Sequence, residues 1–174
     1  PSASGGNNWL YFDIVGATDY DRMSRILPRH KIRSEIEQHW QQSGLHPERC
    51  LGIHVRQTDK SQSHKWRAIL SALQHGKYAS HTEIFLATDS LRVQDAFQEA
   101  RLPQILHLSP WTPLEQGEVP LHLSTRFPKK IVLKSALYDM WTLSRCRDFI
   151  PTWNSSFSRV AQAWRNPVNS PPTP

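Results

Sequence analysis

The sequence lacks an apolar run that approaches the roughly 20 residues needed to span a bilayer. It also lacks, at its start, a charged segment followed by an apolar core and a small-residue cleavage site. Only two cysteines occur, Cys50 and Cys146, and they form no metal-binding or redox motif. Because each cysteine precedes a predicted strand, we predict buried free thiols rather than a disulfide. These absences argue against a membrane-spanning helix and a cysteine-based site, and they leave the compartment open.

Acidic residues are fewer than basic ones, 15 against 21, which gives a formal charge of +6 and a pI near 9.6. This balance favours anionic partners such as phosphates, nucleotides or nucleic acid, although an ordinary basic surface would give the same numbers. With 174 residues, 38% of them hydrophobic, and a mean hydropathy of −0.57, the composition is typical of one soluble globular domain. The chain starts at Pro1 without a methionine, so we expect an excised or processed form, or removal of the initiator.

Strands and amphipathic helices alternate along the middle of the chain. The apolar spacing predicts strands at 51–55, 83–87, 105–108 and 148–151. Helices are predicted from Pro28 to about Gly44, around 66–73, around 93–100, around 133–141 and over 157–164. Alternation of this kind predicts an α/β fold in which a parallel sheet is covered by helices on both faces.

The proline-rich stretch 109–129 interrupts the alternation and predicts a long connection after the third strand. Such a connection lets the fourth strand return beside the first, which gives the strand order 3-2-1-4. We divide the chain into an N-terminal extension over 1–26, one domain over 27–165 and a proline-rich tail over 166–174.

The end of the first strand is the richest candidate site. Within the stretch 52–60, five different polar groups gather at the distal end of an apolar strand and just beyond it: those of His54, Arg56, Thr58, Asp59 and Lys60. In open α/β sheets, ligands bind beyond the carboxyl ends of the strands, where the winding reverses. With the order 3-2-1-4, that point lies between the first and fourth strands.

The turn after the fourth strand completes this predicted crevice. Arg56 offers a rigid fork of donors for phosphate oxygens, and Ser155 and Ser156 offer hydroxyl groups. The helix that follows them presents its N-terminal amides and the positive end of its dipole to an anion. The sequence therefore predicts an anion site here, although Arg56 could instead be an ion-pair partner of Asp59 or Asp89.

The stretch Gly-Ile-His-Val-Arg-Gln-Thr-Asp-Lys at 52–60 resembles the α-1,6-fucosyltransferase family, which includes rhizobial chitooligosaccharide fucosyltransferases and is related to protein O-fucosyltransferases. Two later stretches agree in order and approximate spacing: Ile-Phe-Leu-Ala-Thr-Asp at 84–89, and the segment 136–159. The resemblance spans roughly residues 27 to 165. It implies a Rossmann-like domain similar to the C-terminal, donor-binding half of a GT-B glycosyltransferase. It also implies inverting, metal-independent transfer of fucose from GDP-fucose to a hydroxyl group.

The resemblance implies a set of donor-binding residues. Arg56 and Ser156, helped by Ser155, would hold the diphosphate; Asp139 would accept hydrogen bonds from guanine. The full implied set is His54, Arg56, Asp139, Ser155, Ser156 and Phe157, with His54 in the base pocket. The alternative for Asp139 is a carboxylate satisfied by a neighbouring backbone amide or by Arg145.

The catalytic residues are predicted less directly. Inverting transfer needs a base for the acceptor proton and stabilisation of the leaving diphosphate. The family carries a glutamate four residues beyond the lysine, whereas His64 occupies that position here. We expect Arg56, Lys60 and His64 as the catalytic set, with an ordinary exposed histidine as the alternative for His64.

Thr58, Asp59, Thr88 and Asp89 are expected to support the site. Asp59, Lys60 and Asp89 could instead hold a divalent ion, as in a phosphotransferase. Because Arg56 already supplies positive charge, and because the family needs no metal, we expect neither a metal nor another cofactor.

The expected partners are a GDP-sugar donor, a glycan or protein hydroxyl acceptor, and a missing N-terminal lobe. Two other functions remain open: a binding module without catalysis, and a basic nucleic-acid-binding domain. The second is disfavoured because the aromatic residues recur at core spacing rather than along a basic strand face.

Overall fold

The computed structural model describes residues 30–57, 65–110, 125–152 and 155–165. Within these ranges, five α-helices and four strands follow one another in this order: α1 (His30–Gln42), β1 (Cys50–Val55), α2 (Lys65–Gln74), β2 (Glu83–Thr88), α3 (Leu91–Glu99), β3 (Ile105–Leu108), α4 (Lys129–Arg145), β4 (Asp148–Ile150) and α5 (Ser156–Arg165). Each predicted strand and helix is present, with ends displaced by a few residues. The predicted N-terminal extension, the proline-rich tail and Pro28 lie outside the described residues.

The four strands form one parallel sheet in the order β3-β2-β1-β4, which confirms the predicted order. The register pairs Val55 of β1 with Thr88 of β2, and Ile53 of β1 with Ile150 of β4. The chain therefore winds outward from β1 to β3, then crosses back to place β4 on the other side of β1. This crossover creates the reversal of winding at which α/β proteins bind ligands.

Helices cover both faces of the sheet, as predicted, because alternate residues of the buried strands point to opposite sides. One face packs against α1, α4 and α5, through a core that includes Ile36, Cys50, Phe85, Tyr138, Trp141, Leu143 and Val160. The other face packs against α2 and α3, through Leu51, Ile53, Val55, Trp66, Leu73, Ile84, Leu86, Val93 and Phe97. No helix in the described ranges is long and apolar enough to cross a bilayer.

Two glycines are favoured at their positions for different reasons. Gly44 follows α1 with φ of +68°, a left-handed conformation that ends the helix at low cost. Gly52 lies in β1 under α4: a Cβ atom there would stand 3.0 Å from Leu143 Cδ2 and 3.3 Å from Cys146 Cβ. The missing side chain lets α4 pack closely on the strand that leads into the candidate site.

Candidate functional site

The carboxyl ends of β1 and β4 are joined by one threonine side chain. Thr152 Oγ1 donates a hydrogen bond to the His54 carbonyl oxygen at 2.7 Å, and it accepts one from the Arg56 backbone N–H at 3.2 Å. β4 itself pairs with β1 over only three residues. Thr152 therefore extends the junction past the end of the ladder, at the position where the sequence predicted a crevice.

Helix α5 starts at this junction. Ser155 is its N-cap: its carbonyl accepts from Arg159 N–H at 3.1 Å, and its Oγ accepts a long hydrogen bond from Ser158 N–H at 3.5 Å. Ser155 is buried, whereas Ser156 is partly exposed. The backbone N–H groups of Ser156 and Phe157 donate to no residue in the described ranges. The start of α5 thus brings the positive end of a helix dipole to this edge of the sheet.

The His54 side chain is buried and contacts two residues of α5. It is 7% exposed, its Nδ1 lies 2.6 Å from Ser158 Oγ, and its ring stacks on Phe157 with centroids 4.4 Å apart and planes at 27°. Burial, and then the positive charge of Arg56, lower the pKa of His54 from 6.5 to about 3. The imidazole is therefore neutral near pH 7 and serves as a hydrogen-bonding and stacking group rather than as a cation.

Asp139 lies on α4. This helix covers the face of the sheet on which the His54 side chain of β1 lies. It is 4% exposed, so a carboxylate has been placed inside the protein. Burial, and to a smaller extent the charge of Asp139, raise the pKa of the neighbouring Tyr138. The sequence suggested Arg145 as an alternative partner of Asp139. The guanidinium carbon of Arg145 lies 4.5 Å from the centre of the Trp141 ring.

The supporting residues that the structure describes stabilise turns at the same edge of the sheet. Asp89 Oδ1 accepts a hydrogen bond from the Gln57 backbone N–H at 2.9 Å, so it orders the chain just after Arg56. Thr88 Oγ1 accepts from the Ser90 backbone N–H at 3.2 Å, at the start of α3. The remaining predicted site residues, Thr58, Asp59, Lys60 and His64, lie outside the described residues.

Sequence reasoning missed two residues of this site. Thr152 follows β4 by two residues, and Ser158 occupies the third position of α5. Their signal in the sequence is weak because serine and threonine are common near strand and helix ends. What distinguishes them is tertiary: both bond to the backbone or ring of His54, about a hundred residues earlier in the chain.

A second group of charges lies at the opposite, amino end of the strands. Glu83 is buried; it accepts from the His46 backbone N–H and from His46 Nδ1–H, both at 2.8 Å, and it lies 3.3 Å from His107 Nε2. Burial acts to raise the pKa of Glu83, but the hydrogen bonds from His46 and the charges of His46 and His107 outweigh it and lower that pKa. In the described parts of the chain, no three His, Cys, Asp or Glu side chains are grouped so as to hold a metal ion.

Comparison with known proteins shows the fold. No protein-family model matches the sequence, and no curated protein gives a significant match. The structure is similar to that of the NodZ α-1,6-fucosyltransferase co-crystallised with GDP, with a TM-score of 0.53 and 24% identity over 77% of this chain. It is similar to the same enzyme soaked with GDP-fucose, with a TM-score of 0.52 and 24% identity over 78% of this chain. A structure of fucosyltransferase NodZ from Bradyrhizobium gives a TM-score of 0.50 and 24% identity over 77% of this chain.

The match covers 41% or 42% of the length of those chains. At this identity, the likeness establishes the arrangement of helices and strands. This chain has the fucosyltransferase-like α/β fold of one part of those enzymes.

Proposed function

We propose that this chain is the donor-binding domain of a fucosyltransferase and holds GDP-fucose at the junction of β1, β4 and α5. The observation that carries the proposal is that Thr152 joins the strand end that carries Arg56 to the end of β4, next to which α5 starts. The similar NodZ structures were determined with GDP and with GDP-fucose. A shared fold alone does not establish a function, so the local chemistry of this crevice has to support it.

The diphosphate is assigned to Arg56, Ser156 and the N-terminal end of α5. Arg56 brings a permanent positive charge and a fork of donors, and the helix end adds a partial positive charge. Ser155 is the N-cap and is buried, so Ser156 is the better placed of the two hydroxyl groups. This set supplies counter-charge without a divalent ion, and we propose that binding needs neither a metal nor another cofactor.

We assign the guanine to the side of the proposed site formed by His54, Phe157 and Asp139. A carboxylate accepts hydrogen bonds from the two adjacent N–H donors of guanine, which adenine and uracil do not offer in that arrangement. The stacked His54 and Phe157 rings add aromatic surface to that side. Guanine selectivity is thus the part of the proposal that depends on Asp139.

Transfer itself is proposed to need more than this chain. An inverting, GT-B type transfer requires a base, and Lys60 and His64 are the candidates for catalysis beside Arg56. The acceptor, a glycan or protein hydroxyl, is proposed to bind a further N-terminal lobe. Because positioning of two substrates contributes several kcal/mol to catalysis, we expect this chain to bind the donor and to transfer fucose poorly.

Calorimetry and thermal unfolding with EDTA present test the binding proposal. GDP and GDP-fucose should bind and raise the unfolding temperature, while ADP and UDP should do so more weakly. Arg92→Ala, which removes an exposed arginine on α3 at the other face of the sheet, is the matched control for Arg56→Ala. Strict dependence of GDP binding on magnesium would refute the metal-free phosphate site.

Labelled GDP-fucose tests the transfer proposal. The 174-residue chain and a chain extended by the N-terminal lobe should be compared on chitooligosaccharide, N-glycan and hydroxyl-peptide acceptors. Transfer only by the extended chain supports the proposal, and efficient turnover by the shorter chain refutes it. Binding without transfer by both would favour the other candidate, a non-catalytic nucleotide-sugar-binding module, which the absence of the family glutamate after Lys60 also favours.

Nucleic acid is a poor alternative ligand. Single-stranded nucleic acid binds to exposed aromatic side chains along a basic groove. Trp66 and Trp141 are instead 6% and 5% exposed and pack in the two cores.

A further inference from the structure

The hydrogen bonds around Ser158 restrict where its proton can lie. Ser158 Oγ accepts from the Thr152 backbone N–H at 3.1 Å and lies 2.6 Å from His54 Nδ1. A backbone N–H can only donate, so this bond uses a lone pair of the hydroxyl oxygen. Among the described residues, His54 Nδ1 is the acceptor within reach of the remaining hydroxyl proton.

The protonation of His54 follows from this geometry. If Ser158 O–H donates to Nδ1, that ring nitrogen carries no proton, and a neutral imidazole must carry its single proton on Nε2. His54 is buried beside the guanidinium of Arg56, which keeps the ring neutral. Nε2 makes no hydrogen bond to any residue in the described ranges. The site therefore contains one ring N–H group that has no acceptor among the described residues.

We infer that Ser158 is a positioning residue that locks His54 in the Nε2–H form, so that the site presents an N–H donor to a hydrogen-bond acceptor on the bound molecule. The identity of that molecule as a guanine nucleotide rests on the proposed function, whereas the protonated nitrogen is a property of the free protein. The inferred partner atom is an unprotonated oxygen or ring nitrogen of the nucleotide. An N–H group on the ligand would instead meet another N–H group and be rejected.

The protein contains its own references for the opposite form. His75 Nδ1 donates to the Ser71 carbonyl oxygen at 2.7 Å, and His46 Nδ1 donates to the carboxylate of Glu83 at 2.8 Å. Neither acceptor carries a proton to give, so both of these rings use Nδ1 as the donor. His54 should differ from His46 and His75 within one spectrum of one sample.

The test is a two-bond ¹H–¹⁵N correlation spectrum of the full chain labelled in its histidines, without nucleotide and at about pH 8, where an ordinary imidazole is neutral. The His54 signals are identified by their loss in His54→Gln. We expect protonated Nε2 and unprotonated Nδ1 for His54. The Nδ1–H form, or an equal mixture of both forms, would overturn the inference whatever the protein binds.

Variants of Ser158 test its part in the effect. Ser158→Ala should convert His54 to a mixture of the two forms and weaken GDP binding about 3- to 10-fold, the scale of one hydrogen bond. Ser158→Thr, which keeps the hydroxyl group, should restore the Nε2–H form. Ser71→Ala, which alters an exposed serine beside His75, should leave both His54 and GDP binding unchanged.

The remaining outcomes separate this inference from the proposed function. An unchanged His54 spectrum in Ser158→Ala would remove Ser158 as the positioning residue. If the variant fails to fold, the spectrum of the natural protein still decides the protonated nitrogen. On GDP addition, the Nε2 signal should shift; GDP binding without such a shift would refute recognition by His54. A chain that shows the Nε2–H form but binds no GDP would refute the proposed function and support the role of Ser158 in the free protein.

Discussion

Thr152 Oγ1 lies 2.7 Å from the carbonyl oxygen of His54 and donates a hydrogen bond to it. Thr152 Oγ1 also accepts a hydrogen bond from the Arg56 backbone N–H at 3.2 Å. One side chain thus replaces the ladder hydrogen bonds that end when β4 stops at Ile150. It holds the two strand ends between which the proposed diphosphate site lies.

Thr152→Val should separate these strand ends while keeping the shape of the side chain. Loss of the hydroxyl leaves the His54 carbonyl and the Arg56 N–H without their partner, so the free energy of unfolding should fall by about 1–3 kcal/mol. GDP affinity should fall as well. Urea unfolding and calorimetry measure both quantities, with the exposed Thr82→Val as control. Unchanged stability together with unchanged affinity would show that the junction does not depend on this hydroxyl group.

Arg56→Ala should weaken GDP binding by about 1.5–3 kcal/mol, the scale of a hydrogen bond to a charged group. The far-UV circular dichroism spectrum should stay the same because Arg56 follows β1 rather than forming part of the core. Arg56→Lys should recover only part of the affinity, since lysine supplies the charge without the planar fork. Equal affinity of the Arg56→Ala and Arg92→Ala variants in calorimetry would remove Arg56 from the site.

Asp139→Asn should reduce the preference for GDP over ADP and UDP more than it reduces stability. The amide offers a donor where the carboxylate accepts, so it opposes one of the two guanine N–H groups. Competition binding with the three nucleotides measures this preference, and Asp95→Asn, an exposed change on α3, is the control. A loss of the same size for all three nucleotides would place Asp139 outside the base pocket.

His54 should make the protein less stable in mild acid. Its folded-state pKa of about 3 lies below its ordinary value of 6.5, so between these values the unfolded chain binds a proton that the folded protein does not. The free energy of unfolding should therefore fall below about pH 6.5, by at most about 1.4 kcal/mol per pH unit.

Urea unfolding between about pH 7 and pH 5 measures this slope. The window avoids Glu83, whose lowered pKa gives stability that is lost only below its ordinary value of 4.5. His54→Gln should flatten the slope, and His75→Gln, a change at an exposed histidine, should not. An equally steep slope in His54→Gln would mean that another group carries the effect.

Cys50 and Cys146 should behave as protected thiols. Both are buried and free, with their sulfur atoms 2.6 Å apart, and the hydrogen bond with Cys50, followed by burial, raises the pKa of Cys146. Because the thiolate is the reactive form, a disulfide reagent should react only slowly with the folded protein. After denaturation, the reagent should react with both thiols. Ser71→Cys, which adds an exposed thiol, should react at once. No reactive thiol in denaturant without reductant would instead indicate a Cys50–Cys146 disulfide.

The residue pattern was sufficient for the helices, the strands and their order. Apolar spacing marked both faces of the sheet, and the proline-rich break at 109–129 indicated that β4 returns beside β1. The carboxyl ends of β1 and β4, where Arg56 and Ser156 lie, followed from that order. Hydrophobic periodicity and turn residues act over a few neighbouring positions, so local sequence marks the helices and strands, and the long connection after β3 then restricts their order.

The sequence alone could not decide what each polar side chain does. It marked Ser155 as a possible ligand, while the structure shows a buried helix cap, and it gave no reason to select Thr152 or Ser158. The protonation of His54 depends on burial, on Arg56 and on a hydroxyl group 104 positions away in the chain. Hydrogen-bond direction and desolvation arise only when distant segments meet, so they are decided by the tertiary structure.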